Sequence, residues 1–174
     1  MKLDLHTHCH EATRFTRPDI RIVEQIIAAV KEKGLDGIAI TDHGNKGYAY
    51  QIMEIVEQSF DNEIIIIPGQ ELDRVYQHVI ELYLPDSLVF RFIAHPGYPT
   101  SYWTNNISDI HGIEINNGNY QINQGAVRSL ADRNGLLPLS NSDAHTLSNI
   151  GLYYNEIELE ELCARANSLG LKII

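Results

Sequence analysis

Short apolar runs alternate along the chain with longer segments in which apolar residues recur at helical spacing. Several of the short runs are apolar at successive positions, as expected of strands that are buried on both faces. Strand and helix patterns that take turns predict an α/β fold, and this pattern by itself fits either a barrel or a doubly wound sheet. The predicted strands occupy residues 2–6, 35–41, 63–69, 78–84, 91–95, 112–116 and 135–140, with a further candidate at 152–159.

Four segments have the spacing of amphipathic helices, the third of them over residues 124–133. Before the first, Thr16 and Asp19 can form a capping box around Pro18. Glycines at positions 34, 135 and 170 end the first, third and fourth helices. The side chains expected to face the core are Ile22, Val23, Ile26, Ile27 and Val30 in the first helix, Ile52, Ile55 and Val56 in the second (48–60), and Leu159, Leu162, Cys163, Ala166 and Leu169 in the fourth.

Polar residues follow directly on the apolar runs. The stretches LDLHTH, IAITDH, IIIIPGQE, RFIAHPG, GIEINNG and LPLSNSDAH each pass from apolar residues into histidines, carboxylates or amides. In (β/α) barrels the carboxyl ends of the strands meet at one rim, where active sites lie. The sequence therefore predicts a single polar mouth.

The first of these stretches contains two histidines, two positions apart, that are a candidate pair of metal ligands. While the chain stays extended, His6 and His8 project to the same face and offer two nitrogens to one ion. Other strands end in further nitrogen and oxygen ligands of divalent transition metals, and a carboxylate such as Glu71 can bridge two ions. These strand-end residues are Asp42, His43, Glu71, His95, Asp143 and His145.

Charge and composition narrow the class of partner. The chain has a formal net charge of -10, which argues against broad attraction to nucleic acid and suits cation binding. No apolar run approaches the roughly 18 residues of a membrane span. The first residues do not resemble a signal peptide, and the two cysteines suggest no disulfide framework. We expect a cytoplasmic protein that acts neither at a membrane nor on nucleic acid.

Five motifs, in order, resemble those of the PHP domain (polymerase and histidinol phosphatase) family. They are DLHTH at 4–8, ITDHG at 40–44, PGQE at 68–71, AHPG at 94–97 and NSDAH at 141–145. The resemblance spans almost the whole chain. It implies one domain over residues 1–174, folded as a distorted seven-stranded (β/α) barrel, with two or three divalent ions of zinc, manganese or iron.

The resemblance also implies a ligand set. One ion would be held by His6, His8, Glu71 and Asp143, and Glu71 would bridge to a second ion held by His95 and His78. A third ion would use His43 and His145. Many family members supply a further histidine beyond the first motif, where this chain has EATRFT and offers Arg14 instead. Arg14 can pair bidentately with phosphate, and His10 is a rival ligand for the third ion.

The implied activity is hydrolysis of a small phosphate ester by a hydroxide that bridges two ions, with Glu71, Asp143, His145 and Arg14 as catalytic residues. One alternative is an amidohydrolase-type enzyme, many of which bridge their ions with a carboxylated lysine. The lysines lie at positions 2, 31, 33, 46 and 172, none after a middle strand, which favours Glu71 as the bridge. Another alternative is a non-catalytic module of the kind attached to polymerases or nucleases.

Other polar residues receive structural interpretations. His111 precedes a strand and is expected on the opposite rim, while Cys9 is expected to be a small buried apolar side chain. Asp42 is a candidate for orienting an imidazole rather than binding metal. For Glu114, only its position at the end of a strand suggests a role in the site.

Overall fold

In the computed structural model, which describes residues 1–99 and 107–168, eight strands form one curved sheet. The strands are β1 (Lys2–Thr7), β2 (Gly37–Ile40), β3 (Ile65–Arg74), β4 (Gln77–Tyr83), β5 (Val89–Pro99), β6 (Gly112–Asn117), β7 (Leu137–Asn141) and β8 (Asn155–Glu156). The helices are α1 (Cys9–Ala12), α2 (Ile20–Glu32), α3 (Lys46–Ser59), α4 (Gln124–Asn134) and α5 (Leu159–Ser168), with single 3₁₀ turns at Pro85–Ser87 and Leu147–Asn149.

The sheet has the order β7-β6-β5-β4-β3-β2-β1-β8. Strands β1 to β3 are parallel to one another, as are β5 to β7, whereas β4 is antiparallel to both of its neighbours. No helix was predicted between β3 and β5, and the structure has none among the residues described there: a tight turn connects β3 to β4, and a 3₁₀ turn connects β4 to β5. Because β4 is reversed, its first residues lie at the same end of the sheet as the last residues of β3 and β5.

Strands β1 and β7 approach each other and nearly close the sheet into a barrel. At the upper end of this seam, the backbone N–H of Asp143 donates to the carbonyl of His6 and that of His8 donates to the carbonyl of Ala144, each at 2.9 Å. The predicted barrel is thus confirmed, with β1 to β7 as its seven strands and β8 as a short addition beside β1.

The lower end of the seam is joined by the side chain of Asn155. Its Nδ2 donates to the carbonyls of Ser140 and Leu3 at 3.0 and 3.3 Å, and its Oδ1 accepts from the backbone N–H of Ser140 at 2.8 Å. One amide side chain therefore supplies hydrogen bonds that a regular strand pair would form through its backbones.

The apolar core has an interior layer and two outer layers. Inside the barrel, large side chains such as Leu5, Ile80 and Phe92 are fully buried below the mouth, and α5 packs Leu162 and Ala166 against this interior cluster. Outside, α2 and α3 cover one side of the sheet and α4 covers the other. The polar mouth therefore lies above a close-packed interior.

The helix predictions are largely confirmed. All five core residues predicted for α2 are buried, but its N-cap is Asp19, whose side chain accepts from the backbone N–H of Ile22, so the predicted box with Thr16 is wrong. Helix α4 ends before Gly135, which adopts a left-handed conformation. Helix α5 begins at Leu159, and the predicted end at residues 169–170 lies outside the described residues. No helix in the described ranges is long and apolar enough to cross a membrane.

Candidate metal centre

The Nε2 atoms of His6 in β1 and His8 just after it are approached by one carboxylate from β3 and one from the loop after β7. This group is here named site A: His6, His8, Glu71 and Asp143. The Nε2 atoms of His6 and His8 are 3.1 Å apart. Oε2 of Glu71 lies 3.3 and 3.1 Å from these two nitrogens, and Oδ1 of Asp143 lies at the same two distances. All four side chains are buried.

The arrangement at site A fits a divalent ion. Tetrahedral ligands at bond lengths of about 2.0–2.2 Å stand roughly 3.3–3.6 Å from one another, close to the five separations given above. The ligand atoms of His6, His8 and Glu71 lie within 4.8 Å of one another, as do those of His6, His95 and Asp143. Two imidazole nitrogens that point at each other cannot both be satisfied as neutral acceptors without a cation between them. Oδ1 of Asp143 is buried and has no hydrogen bond of good geometry among the described residues. These observations agree with the chemistry of a nitrogen- and oxygen-bound metal.

The other carboxylate oxygen of Glu71 reaches a second group, here named site B: Glu71, His78 and His95. Its Oε1 lies 2.7 Å from Nδ1 of His78 and 3.0 Å from Nε2 of His95. His78 reaches this position because β4 is reversed, which places the start of that strand at the mouth. Glu71 thus directs one oxygen to each site, in the arrangement of a bridging carboxylate.

A third group, here named site C, lies on the other side of His8. One ligand atom from each of His8, Glu11, His43 and His145 lies within 4.8 Å of the others. The rings of His43 and His145 stack on the His8 ring at centroid distances of 4.7 and 4.2 Å. Oε2 of Glu11 is 3.7 Å from Nε2 of His145. Site C is more exposed than sites A and B.

This geometry agrees with a sequence match. The pattern of the PHP domain family matches residues 6–137, which include the site A and site B ligands except Asp143, and a PHP-associated pattern matches residues 122–166. The chain belongs to the PHP domain family. No curated protein matches the sequence.

Solved structures with the same fold include three of low sequence identity. PsfC from Pseudomonas syringae has 18% identity and a TM-score of 0.66, and the match covers 86% of this chain and 78% of that one. A candidate metal-dependent phosphoesterase from Bifidobacterium adolescentis has 11% identity and a TM-score of 0.70, over 98% and 97% of the two chains. An amidohydrolase from Chromobacterium violaceum, solved with sulfate and no metal, has 15% identity and a TM-score of 0.65, over 95% and 97%. The chain shares its fold with all three.

The electrostatics of the centre also favour cations. Burial would raise the pKa of Asp143, but the charge of His6 lowers it to about 2. Burial lowers the pKa of His6, and Asp143 and Glu114 together raise it well above its usual range. No lysine or arginine among the described residues pairs with Glu71 or Asp143. Without metal, buried imidazoles must hold protons to balance these carboxylates, so an ion would replace protons on binding.

The structure brings together all eight residues that the PHP resemblance implies as ligands, and it adds Glu11. His10 does not join site C, since its ring packs against Tyr48 and Phe15. His10 would share the face of His6 and His8 only if the chain stayed extended, but it turns into α1 after His8, and this turn brings Glu11 to site C. In the sequence, the only indication of this role for Glu11 was its position three residues after His8.

Arg14 is exposed, and its guanidinium makes no hydrogen bond or ion pair with a described residue. It lines a surface cavity with Thr13, Leu147 and Ser148, and Leu147 lies two residues after the site C ligand His145. The proposed phosphate contact of Arg14 remains a prediction.

Three further residues have structural contacts. Asp42 does not touch an imidazole: its Oδ1 accepts from the backbone N–H of His10 at 2.9 Å and so caps the short helix α1, while burial raises its pKa to about 6. His111 is buried and accepts from the backbone N–H of Arg91, and Cys9 is fully buried. The interpretations of His111 and Cys9 are confirmed, whereas that of Asp42 is wrong.

Replacing Glu11 with alanine is expected to remove metal from site C alone, because Glu11 supplies its only carboxylate while sites A and B keep all their ligands. Elemental analysis of protein equilibrated with zinc should show about one ion fewer per chain than the wild type. Glu57→Ala, which removes an exposed glutamate from α3, serves as the control. Equal metal content in the two variants would exclude Glu11 as a ligand.

Proposed function

We propose that this PHP protein is a metal-dependent phosphoesterase that hydrolyses a small phosphate ester. The proposal rests on the position of the Glu71 carboxylate. Its two oxygens lie 2.7–3.3 Å from the histidine nitrogens of two separate ligand groups. A pair of ions bridged in this way is typical of enzymes that displace a leaving group from phosphorus. His6, His8 and Asp143 complete one site, and His78 and His95 complete the other.

The charge of the loaded centre favours a phosphate over a neutral substrate. When bound, the ions would polarise the phosphoryl oxygens and activate a water molecule for attack. Two or three divalent ions carry more positive charge than the carboxylates that hold them, so the mouth would attract a dianion. The residues orient the reacting groups: Glu71 and Asp143 hold the centre together, and His43, His145 and Glu11 extend it toward solvent.

Two neighbours in fold agree with this proposal. The Bifidobacterium protein bears the name of a metal-dependent phosphoesterase, and the Chromobacterium protein contains sulfate, a tetrahedral oxyanion of the same shape as phosphate. The Chromobacterium protein is nevertheless called an amidohydrolase. Hydrolysis of an amide is therefore the alternative activity that the experiment must distinguish from phosphoester hydrolysis.

The test compares substrate classes on one preparation. Protein loaded separately with zinc, manganese or iron is assayed with an aryl phosphate, a set of sugar and nucleotide phosphates, and a panel of cyclic amides and lactones. We expect phosphate release that stops on addition of a chelator. Turnover of amides or lactones alone would overturn the proposal in favour of an amidohydrolase. Full metal binding without turnover of any substrate would favour a non-catalytic module.

Arg14→Met is expected to raise the Michaelis constant for the phosphate ester with little change in kcat, because the guanidinium would contact the phosphate before and during reaction alike. Loss of a charge-assisted hydrogen bond corresponds to roughly a 10-fold to 100-fold increase. Steady-state kinetics give both constants. Arg128→Met, on the exposed side of α4, is the control. An unchanged Michaelis constant in Arg14→Met would exclude the clamp.

A further inference from the structure

Glu114, within β6, has four hydrogen-bond donors around a fully buried carboxylate. Oε1 accepts from Nδ1 of His6 at 2.9 Å and from Nδ2 of Asn141 at 2.8 Å. Oε2 accepts from the backbone N–H of His95 at 2.6 Å and from Nδ2 of Asn117 at 2.9 Å. Among the described residues, no ligand group includes Glu114 itself, so these contacts act on the ligands and not on an ion.

Its first oxygen acts on site A through His6. Three of the four donors are amide groups, so the carboxylate serves as an acceptor throughout, and the proton of the His6 ring stands on Nδ1. With an ion at site A, the Nε2 lone pair of His6 would then face that ion beside His8, Glu71 and Asp143. A hydrogen bond to the remote nitrogen of a metal-binding histidine fixes the tautomer and the orientation of its ring in this manner.

Its second oxygen acts on site B through the backbone. His95 has φ of 26°, a value that L-residues rarely adopt, and its N–H donates to Glu114 at the shortest distance of the four. Strained backbone at a functional residue persists only where the surroundings hold it. The same oxygen binds Asn117, whose Nδ2 also lies 3.3 Å from Oδ2 of Asp143, so one carboxylate is linked to ligands of both sites.

We propose that Glu114 is a positioning residue that sets the His6 tautomer at site A and holds the His95 backbone at site B. The inference rests on the metal centre of the proposed function and deepens it. It differs from a packing role, because a neutral side chain of the same shape would fill the space yet fail to present four acceptor sites.

The isosteric variant Glu114→Gln separates the two roles. A carboxamide has one acceptor oxygen and one donor group. The backbone N–H of His95 can only donate, and the amide of Asn141 is held by the backbone N–H of Leu5, which donates to its Oδ1 at 3.1 Å. On the same side as the His95 N–H, Nδ2 of Asn117 is also held as a donor, because Oδ1 of Asn117 accepts from the backbone N–H groups of Asn119 and Tyr120. The new amide oxygen therefore remains on the side of His95 and Asn117, where both partners donate, and its NH₂ faces His6 and Asn141. Nδ1 of His6 must then accept, which moves the ring proton to Nε2 and removes that ligand from site A.

The experiment measures zinc binding by competition with a chromophoric chelator, without any substrate. We expect Glu114→Gln to bind zinc at site A about 10-fold to 100-fold more weakly than the wild type, while site B changes less. Long-range ¹H–¹⁵N spectra of zinc-loaded wild-type protein should show the His6 proton on Nδ1. Glu81→Gln is the matched control, since Glu81 is a buried strand glutamate that binds Gln70, Tyr83 and Arg91 away from the centre.

The outcomes are distinguishable. Zinc affinities that are equal in Glu114→Gln and the wild type would overturn the role of Glu114 while leaving the metal centre intact. Wild-type protein that binds no zinc would overturn both. If Glu114→Gln does not fold, the wild-type spectrum still decides: a His6 proton on Nε2, or none on Nδ1, contradicts the proposal, and a proton on Nδ1 supports it.

Discussion

Glu71→Gln is expected to abolish metal binding at sites A and B together and to reduce phosphoester hydrolysis to background. The carboxamide keeps one oxygen and replaces the other by an NH₂ group that cannot bind a cation, and it removes the negative charge that two ions share. Burial alone would raise the pKa of Glu71, but its contacts with His6, His78 and His8 lower it, so the native side chain is ionised. Loss of this residue should cost more than the roughly 10- to 100-fold typical of a supporting hydrogen bond.

Zinc content by elemental analysis and initial rates with an aryl phosphate measure this effect. Glu81→Gln is again the matched control and should keep both zinc and activity, because its network lies on the outer face of β4. A Glu71→Gln protein with the metal content and turnover of the wild type would rule out the bridging role on which the proposed function rests.

Phe92→Ala is expected to lower the free energy of unfolding by about 3–5 kcal/mol, the range for removing a buried aromatic side chain. Phe92 is fully buried in the barrel interior, packed near Phe90, and its ring is T-shaped to that of His6 at a centroid distance of 6.5 Å. The melting temperature should fall by roughly 6–20 °C for a chain of this size. Thermal unfolding is followed by circular dichroism at fixed zinc concentration, because bound metal stabilises the folded state.

Phe15→Ala is the control, because the Phe15 side chain is 67% exposed. An exposed substitution of this kind changes stability by about 0.5 kcal/mol or less. If the two variants melted within a degree or two of each other, the interior below the mouth would not be close-packed, and the support for His6 would have to come from elsewhere.

The sequence was sufficient to place most of the centre, for a simple geometric reason. Ligands that follow parallel strands meet at one rim, so His6, Glu71, His95 and Asp143 could be grouped without knowing any loop. His78 precedes its strand, and its place followed only from the family resemblance. Its location became physically clear with the reversal of β4, which a periodicity of two along the chain cannot reveal.

Glu11 and Glu114 were not identified as parts of the centre because their roles depend on contacts that sequence spacing does not encode. Glu11 reaches site C through a single helical turn at α1, an element that the hydrophobic pattern did not predict. Glu114 is separated by 108 residues from His6 and by 19 from His95, its partners on β1 and β5. A glutamate at a strand end has the same local signature whether it binds an ion, supports a ligand or faces water.

The candidate metal at site A would lie across the seam between β1 and β7, with ligands on both sides of it. His6 and His8 lie on one side of it and Asp143 on the other, next to the two backbone hydrogen bonds that close it. An ion held by these three residues would act as a removable cross-link between the first and last strands of the barrel. Because these ligands come together only when the first and last strands meet, binding of the ion would favour the closed barrel over the unfolded chain.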